Sequence, residues 1–159
     1  MIFVTVGQML GFDRLIEAMD LWAGANPDRE VFAQIGDGRY TPGAMAWTRM
    51  VPPDEFRGRA TAADVIVAHA GMGSYFVAME AQKPIVMLPR LQTRLEHTTD
   101  HQTHTLKWLR EKPGVYAADT EDQLPRAIER ALAGAAVFEK FDRFAPAPFV
   151  AKLRQAILG

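Results

Sequence analysis

A six-residue segment, residues 69–74 (His-Ala-Gly-Met-Gly-Ser), has the residue types of a phosphate-binding turn. It follows the β-branched run 65–67 and precedes a helix-length apolar segment, so it is predicted to join a buried parallel strand to a helix. Backbone N–H groups at the start of a helix attract anions. We expect Gly71 and Gly73 to let the backbone approach a ligand and adopt positive φ angles. Ser74 adds a hydroxyl group, and a ligand-free turn is the alternative interpretation.

Two common phosphate-binding motifs are excluded at this turn. The dinucleotide fingerprint G-x-G-x-x-G would need a third glycine where the chain has Phe76, and no Gly-Lys-Ser/Thr sequence follows to make a Walker A loop. Gly7 is a second candidate, because it ends the first predicted strand and precedes a helix. Its turn can present N–H groups to an anion or can be a plain connection.

Three histidines, His97, His101 and His104, are spaced at i, i+4 and i+7, with Asp100 between them. On one helix this spacing could bind zinc. However, the chain has no H-E-x-x-H sequence and no cysteine. The same spacing fits a solvent-exposed histidine-rich face, and we predict no metal.

The elements that would position these residues alternate between strands and helices. Hydrophobic periodicity and turn residues predict strands at 2–6, 30–35, 46–51, 65–67, 85–88 and 115–118. They predict helices at 12–25, 54–61, 75–82 and 98–111, another behind Thr120 that starts later than Glu121 because of Pro125, and a last one across 149–157. This alternation predicts an α/β fold, a Rossmann-like parallel sheet with helices on both faces.

The chain is predicted to form one domain, residues 1–134, followed by a C-terminal appendage, residues 135–159. The appendage has a cluster of four phenylalanines ahead of or within its last helix: Phe138, Phe141, Phe144 and Phe149. It either packs on its own domain or contacts a partner subunit.

Composition excludes several classes of protein. The 159 residues are 48% hydrophobic and 23% charged with a net charge of −1, and the basic residues are scattered, which argues against nucleic-acid binding. The absence of cysteine excludes disulfides and fits a reducing compartment. The first residues lack the basic region of a signal peptide, and no apolar run is long enough to span a bilayer. We therefore expect a cytoplasmic protein that reaches a membrane through a partner.

Several sequence blocks occur together in one order. They are Val-Thr-Val-Gly at 4–7, Phe-Asp-Arg-Leu at 12–15, the 69–74 turn, Lys-Pro-Ile-Val-Met-Leu-Pro-Arg at 83–90, and Glu96-His97 with Asp100-His101-Gln102. Across residues 1–133 this arrangement resembles the donor-binding half of GT-B glycosyltransferases, and more specifically the family 28 C-terminal domain. Within that family the chain is similar to the soluble subunit of two-component enzymes, which include the dolichol-linked GlcNAc transferase and bacterial exopolysaccharide glycosyltransferases.

The resemblance implies a UDP-sugar site. The residues it assigns to substrate binding are Gly7, Gln8, Pro53, His69, Gly71, Met72, Gly73, Ser74, Arg90, Glu96, His101 and Gln102. His69 would lie beside the diphosphate and stabilise the departing UDP, and Gln102 would bond sugar hydroxyls. Arg90 would compensate phosphate charge, or is an ordinary surface arginine. Two departures from the family pattern are Gln8 in place of threonine and Val77 in place of a ribose-binding glutamate, while Glu80 is expected to be solvated.

The implied function is that of the donor-binding, catalytic subunit of a heteromeric inverting glycosyltransferase. It would move a hexosyl or N-acetylhexosaminyl group from a UDP-sugar to a lipid-linked acceptor, without a metal or other cofactor. The chain has the length of one GT-B half, so a membrane-anchored subunit would supply the acceptor site and the general base, and the isolated chain could form a homodimer. A nucleotide-sugar epimerase and a non-catalytic binding module are the alternatives, and Gln8 and Val77 favour the second of these.

Overall fold

The computed structural model describes residues 1–134 and 144–158. The strands are Ile2–Thr5 (β1), Val31–Gln34 (β2), Ala46–Thr48 (β3), Val65–His69 (β4), Ile85–Leu88 (β5) and Val115–Ala117 (β6). The α-helices are Asp13–Ala25 (α1), Pro53–Ala62 (α2), Met72–Ala81 (α3), His101–Leu109 (α4), Leu124–Ala133 (α5) and Ala147–Leu158 (α6). Two short 3₁₀ helices cover Gln92–Arg94 and Glu121–Gln123.

All six strands are parallel and pair in the order β3-β2-β1-β4-β5-β6. This is the strand order of dinucleotide-binding Rossmann folds, and it reverses direction between β1 and β4. The predicted Rossmann-like α/β fold is therefore confirmed. The reversal matters for function because ligands of such sheets bind outside the carboxyl ends of the strands at that point.

Alternate residues of each central strand point to opposite faces, and each face carries its own core. In β1, Val4 packs with α1 and α5, whereas Phe3 packs with α2, α3 and α4. The same alternation continues through β4 and β5, whose residues are buried on both faces almost without exception. The continuous apolar strands that the sequence shows are thus explained by helices on both faces of the sheet.

Several element boundaries differ from the predictions. Helix α3 begins at Met72 rather than at 75, because Gly71 in extended conformation acts as its N-cap. Helix α4 begins at His101, and residues 95–100 form bends and turns instead of helix. The predicted late start of the helix behind Thr120 is confirmed, since α5 begins at Leu124 with Pro125 in its first turn, where no N–H partner is needed.

The C-terminal helix is longer than predicted and has no buried residue. Phe144 and Phe149 are exposed, whereas Phe138 and Phe141 lie outside the described residues. The proposed contact between the appendage and a partner stays a prediction. None of the described helices has the length and apolar character needed to cross a membrane.

Candidate functional site

A cavity of about 480 Å³ lies beside the ends of β1 and β4, where the strand order reverses. Its lining includes nine of the twelve residues predicted to bind substrate: Gly7, Gln8, His69, Gly71, Gly73, Ser74, Arg90, His101 and Gln102. The structure therefore brings together residues from both glycine turns and from the region after β5. Whether these residues bind the expected ligand stays a prediction.

Three predicted residues do not line this cavity. Met72 is half-buried and packs against the core beneath α3. Pro53 is exposed in the first turn of α2, and Phe56 from the next turn of that helix reaches the cavity instead. Glu96 lies in an adjoining cleft of about 340 Å³.

His69 is the last residue of β4, and its ring fills the space between the two glycine turns. A Cβ atom on Gly7 would lie 2.8 Å from His69 Cε1, and one on Gly71 would lie 2.8 Å from His69 Cδ2. Gly7 also has a φ of +82°, but Gly71 has a φ of −98°. The expectation of a positive φ at Gly71 is therefore wrong, and this residue must be glycine because an imidazole ring occupies the place of its side chain.

Gly73 and Ser74 lie in the first turn of α3 rather than in the connecting turn. The expectation of a positive φ at Gly73 is also wrong, because the helix gives it ordinary helical backbone angles. A Cβ on Gly73 would meet no atom within 4 Å, so its missing side chain leaves open space at the cavity wall. Ser74 Oγ lies 3.3 Å from His69 Nδ1, which ties the start of α3 to the ring.

Arg90 is buried, at 2% exposure, and supports the turn after β1 from below. Its guanidinium group donates hydrogen bonds to the backbone carbonyls of Val6 and Leu10, both at 2.8 Å, and to that of Gly11. Burial, with a smaller contribution from Arg14, lowers the pKa of Arg90 to about 10, so it still carries a positive charge at neutral pH. The alternative of an ordinary surface arginine is wrong.

Burial also dominates the protonation of His69. It lowers the pKa of His69 to about 4, and the positive charge of Arg90 and the nearby His97 add to the effect. The imidazole is therefore neutral at neutral pH, with one N–H and one acceptor nitrogen. An anion bound in the cavity would oppose this shift because it favours the charged form.

The region after β5 brings His97, His101 and Gln102 to the cavity. The side-chain oxygen of Gln102 accepts a hydrogen bond from Arg90 N at 3.1 Å, and its amide nitrogen donates to no described residue. The rings of His97 and His101 have centroids 4.4 Å apart. His97 Nδ1 accepts from the backbone N–H of Thr99 at 3.3 Å, which places the proton of the neutral ring on Nε2.

Of the three histidines predicted to share one helix face, His97 and His101 line the cavity and His104 does not. His104 is exposed on α4 and does not line the cavity. Within residues 1–134 and 144–158, no three His, Cys, Asp or Glu side chains form a group that could hold a metal ion. Glu80 is exposed on α3, and Val77 takes a place in the cavity wall.

Glu96 has a buried partner that the sequence did not suggest. Arg14 Nε and Nη2 donate to its two carboxylate oxygens at 2.7 and 2.8 Å, and the backbone N–H of Leu91 donates to the second oxygen at 2.9 Å. Arg14 also contacts Glu121 at 2.9 Å and the carbonyl of Pro89 at 2.7 Å. Glu96 thus fixes the start of the loop after β5, and its contact with a ligand stays a prediction.

Two polar residues at strand ends position the turn after β1 and were missed by the sequence analysis. Gln34, 1% exposed, donates to the carbonyl of Gly7 at 3.0 Å and accepts from the N–H of Val51 at 3.1 Å. Thr5 Oγ1 accepts from the N–H of Gly7 at 3.1 Å. A polar residue at the end of an otherwise apolar strand was the available signal, because a buried amide needs partners.

The composition of the cavity lining favours an anionic ligand over a cationic one. The cavity is lined by one guanidinium, three imidazoles, two amide side chains and the N-terminal turn of α3, and none of its sixteen described lining residues is Asp or Glu. Positive charge and N–H donors at a helix start favour phosphate groups.

Comparison with known proteins agrees with this geometry. The model of the glycosyltransferase family 28 C-terminal domain matches residues 1–145. No curated protein sequence matches the chain.

Three solved structures illustrate the fold. The glycotransferase of kitacinnamycin is 20% identical with a TM-score of 0.59, and the match covers 98% of this chain and 37% of that one. SnogD from Streptomyces nogalater is 20% identical with a TM-score of 0.56, covering 99% and 44%. The Methanocaldococcus jannaschii UDP-GlcNAc 2-epimerase is 12% identical with a TM-score of 0.62, covering 99% and 44%. This chain therefore spans less than half of each of these proteins.

Proposed function

The chain belongs to the family of glycosyltransferase family 28 C-terminal domains, and from that premise we propose that its cavity binds the UDP-sugar donor of a glycosyl transfer. The observation that carries the proposal is the position of the cavity at the carboxyl ends of β1 and β4, where the strand order reverses. The epimerase of similar fold was solved with UDP-GlcNAc and UDP, which supports a nucleotide-sugar ligand.

In this proposal the diphosphate lies against the first turn of α3. Transfer breaks the bond between the anomeric carbon and the diphosphate oxygen, so negative charge develops on the departing UDP. N–H groups at the start of α3, an N–H of His69 and the positive charge of Arg90 would stabilise that charge. The backbone near Val51 and Pro53, with Phe56 beside it, would cradle the base. No metal takes part in this account.

We further propose that the acceptor is a lipid-linked sugar and that reaction inverts the anomeric centre. The acceptor hydroxyl would attack the anomeric carbon and lose its proton to a base on a membrane-anchored partner subunit, which would also hold the chain at the cytoplasmic membrane face. One observation supports the need for a base from elsewhere: the described cavity lining has no carboxylate.

Calorimetric titration with UDP tests the donor site. Gly73→Val should abolish UDP binding without loss of stability, because the new side chain enters the cavity and meets no protein atom within 4 Å of its Cβ. Gly58→Val is the matched control, since Gly58 is also helical, has equally open surroundings and lies outside the cavity. Equal UDP affinity in the two variants would contradict the placement.

A transfer assay tests the need for a partner. The purified chain should bind UDP but transfer no sugar to a soluble acceptor, and turnover should appear only when a membrane fraction carrying the second subunit is added. Sustained turnover by the chain alone would overturn the two-subunit proposal and leave the donor site intact.

A nucleotide-sugar epimerase is the second candidate, and it is favoured by the similarity in fold to the UDP-GlcNAc 2-epimerase. The described lining, which contains no Asp or Glu, argues against it, because epimerisation moves protons at carbon. Proton NMR of UDP-GlcNAc incubated with the chain separates the two, since only an epimerase gives a second sugar nucleotide. Tight UDP binding with neither activity, even with a partner, would indicate a non-catalytic module.

A further inference from the structure

The hydrogen-bond acceptors among the side chains of the described cavity lining are hydroxyls, amide oxygens and ring nitrogens, all of them uncharged. A neutral sugar presents hydroxyl groups, which need acceptors as well as donors, and carboxylates are the side chains best suited to accept from them. Among the described lining residues there is no carboxylate. Val77 occupies part of the wall with an apolar side chain.

Glu96 and Asp100, the carboxylates nearest in sequence to His97, His101 and Gln102, already accept hydrogen bonds from other residues of the protein. Both oxygens of Glu96 accept from Arg14, and one also accepts from the N–H of Leu91. Asp100 accepts from the N–H of Gln92 at 2.8 Å. These bonds hold the loop after β5 in place, and those on Glu96 occupy both of its carboxylate oxygens.

The face formed by His97, His101 and Gln102 presents donors. The oxygen of Gln102 is held by Arg90 N, which leaves its amide N–H groups for a ligand. Thr99 N–H bonds to His97 Nδ1, so His97 presents Nε2–H. His101 Nδ1 lies 2.7 Å from Thr99 Oγ1, and the other ring nitrogen of His101 carries a proton for a ligand when the Thr99 hydroxyl donates to Nδ1.

We propose that the sugar of the donor carries a carboxylate, so that the preferred ligand is a nucleoside diphosphate hexuronate read by His97, His101 and Gln102. The inference rests on the proposed function and names the donor class. A carboxylate only accepts hydrogen bonds, which matches a face that mainly donates them. Its charge also favours the protonated form of His97, whose pKa is lowered by burial and then by the neighbouring His101 and Arg90.

UDP-glucose and UDP-glucuronate make a matched pair, because they differ only in an alcohol or a carboxylate at C6. In calorimetric titrations of the full chain, we expect UDP-glucuronate to bind about tenfold more tightly than UDP-glucose, the value of one good charge-assisted hydrogen bond. His97→Leu should reduce this preference to about twofold while the affinity for UDP stays the same.

Two further variants separate recognition from structural damage. His97→Arg keeps a donor and adds a fixed positive charge, so it should retain the preference for the uronate. His104→Leu changes an exposed histidine of α4 outside the cavity and should change nothing. If UDP binds but UDP-glucose binds as tightly as UDP-glucuronate, the inference is wrong and the donor site stands. If UDP does not bind at all, the proposed function itself is wrong.

Discussion

The two glycine turns that border the cavity look alike in sequence but are held in different ways. The turn after β1, residues 7–12, has no regular structure before α1, and Gly7 has a φ of +82°. The turn after β4 is shorter, because Gly71 in extended conformation is the N-cap of α3 and the helix begins at the next residue. The first turn depends on distant side chains and the second on its own sequence.

Three side chains hold the first turn through hydrogen bonds. Arg90, which follows β5, donates to the carbonyls of Val6, Leu10 and Gly11. Gln34 at the end of β2 donates to the carbonyl of Gly7, and Thr5 accepts from the N–H of Gly7. Glu96 and Arg14 in turn fix the segment that carries Arg90. In addition to its helix, the second turn has the His69–Ser74 contact and two backbone bonds, from Gly71 N to the carbonyl of His69 and from Ala70 N to that of Leu88. Mutations far away should therefore damage the first turn and spare the second.

The largest effect should come from Arg90→Met, which removes the donor from one buried and two partly buried carbonyls at once. We expect the free energy of unfolding to fall by about 3 kcal/mol and UDP binding to weaken more than about tenfold. Urea unfolding and calorimetry measure both. Arg110→Met is the control, because it breaks an exposed ion pair with Asp119 and should cost less than about 1 kcal/mol. Equal urea midpoints for Arg90→Met and Arg110→Met would contradict the claim that the first turn depends on Arg90.

The pH dependence of stability tests the burial of His69, whose ring lies between the two turns. Its folded pKa of about 4 lies below the ordinary value of 6.5, so between these values the unfolded chain binds more protons. Stability should therefore fall as the pH drops through this window, by on the order of 3 kcal/mol from this residue. Urea midpoints of the wild type and His69→Gln across the window isolate the effect. A pH slope unchanged by the substitution would contradict the burial of the ring.

A double-mutant cycle with His69 tests why glycine is needed at position 71 and at position 7. Gly71→Ala should cost about 2 kcal/mol of unfolding free energy in the wild type and almost nothing in a His69→Ala background, since only the ring stands in the way. Gly7→Ala should keep a cost of about 1 kcal/mol in that background because its φ is positive. The comparison fails if Gly71→Ala costs the same with and without the ring.

The smallest effect should come from Gln34→Leu. The substitution keeps the size of the side chain but leaves the carbonyl of Gly7 and the N–H of Val51 without partners, at a cost of about 1 kcal/mol. Gln123→Leu, which removes an exposed bond to Asp119, is the control and should have less effect in thermal unfolding. A larger loss in the control would mean that Gln34 is not needed by the first turn.

The contrast between the turns also explains what the sequence could predict. The strand–turn–helix order at the second turn and the parallel strands follow from local patterns, and these predictions are confirmed, whereas the predicted φ angles of Gly71 and Gly73 and the predicted start of α3 are wrong. The work of Arg90 is different, because the carbonyls it binds lie 79–84 residues earlier in the chain. Local patterns cannot show such a contact, so the sequence does not indicate that Arg90 supports the turn after β1.

The glycines show a subtler limit. Their presence near the cavity was predicted, but the reason was not, because Gly7 and Gly71 make room for His69 and not only for a ligand. Gly73, whose surroundings are open, is the one that fits the expectation that a glycine lets the backbone approach a ligand. Helix α4 starts later than its pattern indicated because residues 92–100 bond among themselves, through Asp100 to Gln92 and His97 to Thr99.

The most direct test is an NMR titration of the amide signals with UDP, which the 17.7 kDa mass of the chain allows. If UDP binds between the two turns, the largest shift changes should fall on residues 7–11 and 71–74, with little change in β3 and α6. Large changes confined to other parts of the sheet, or none at saturating UDP, would contradict a donor site at the reversal of the strand order.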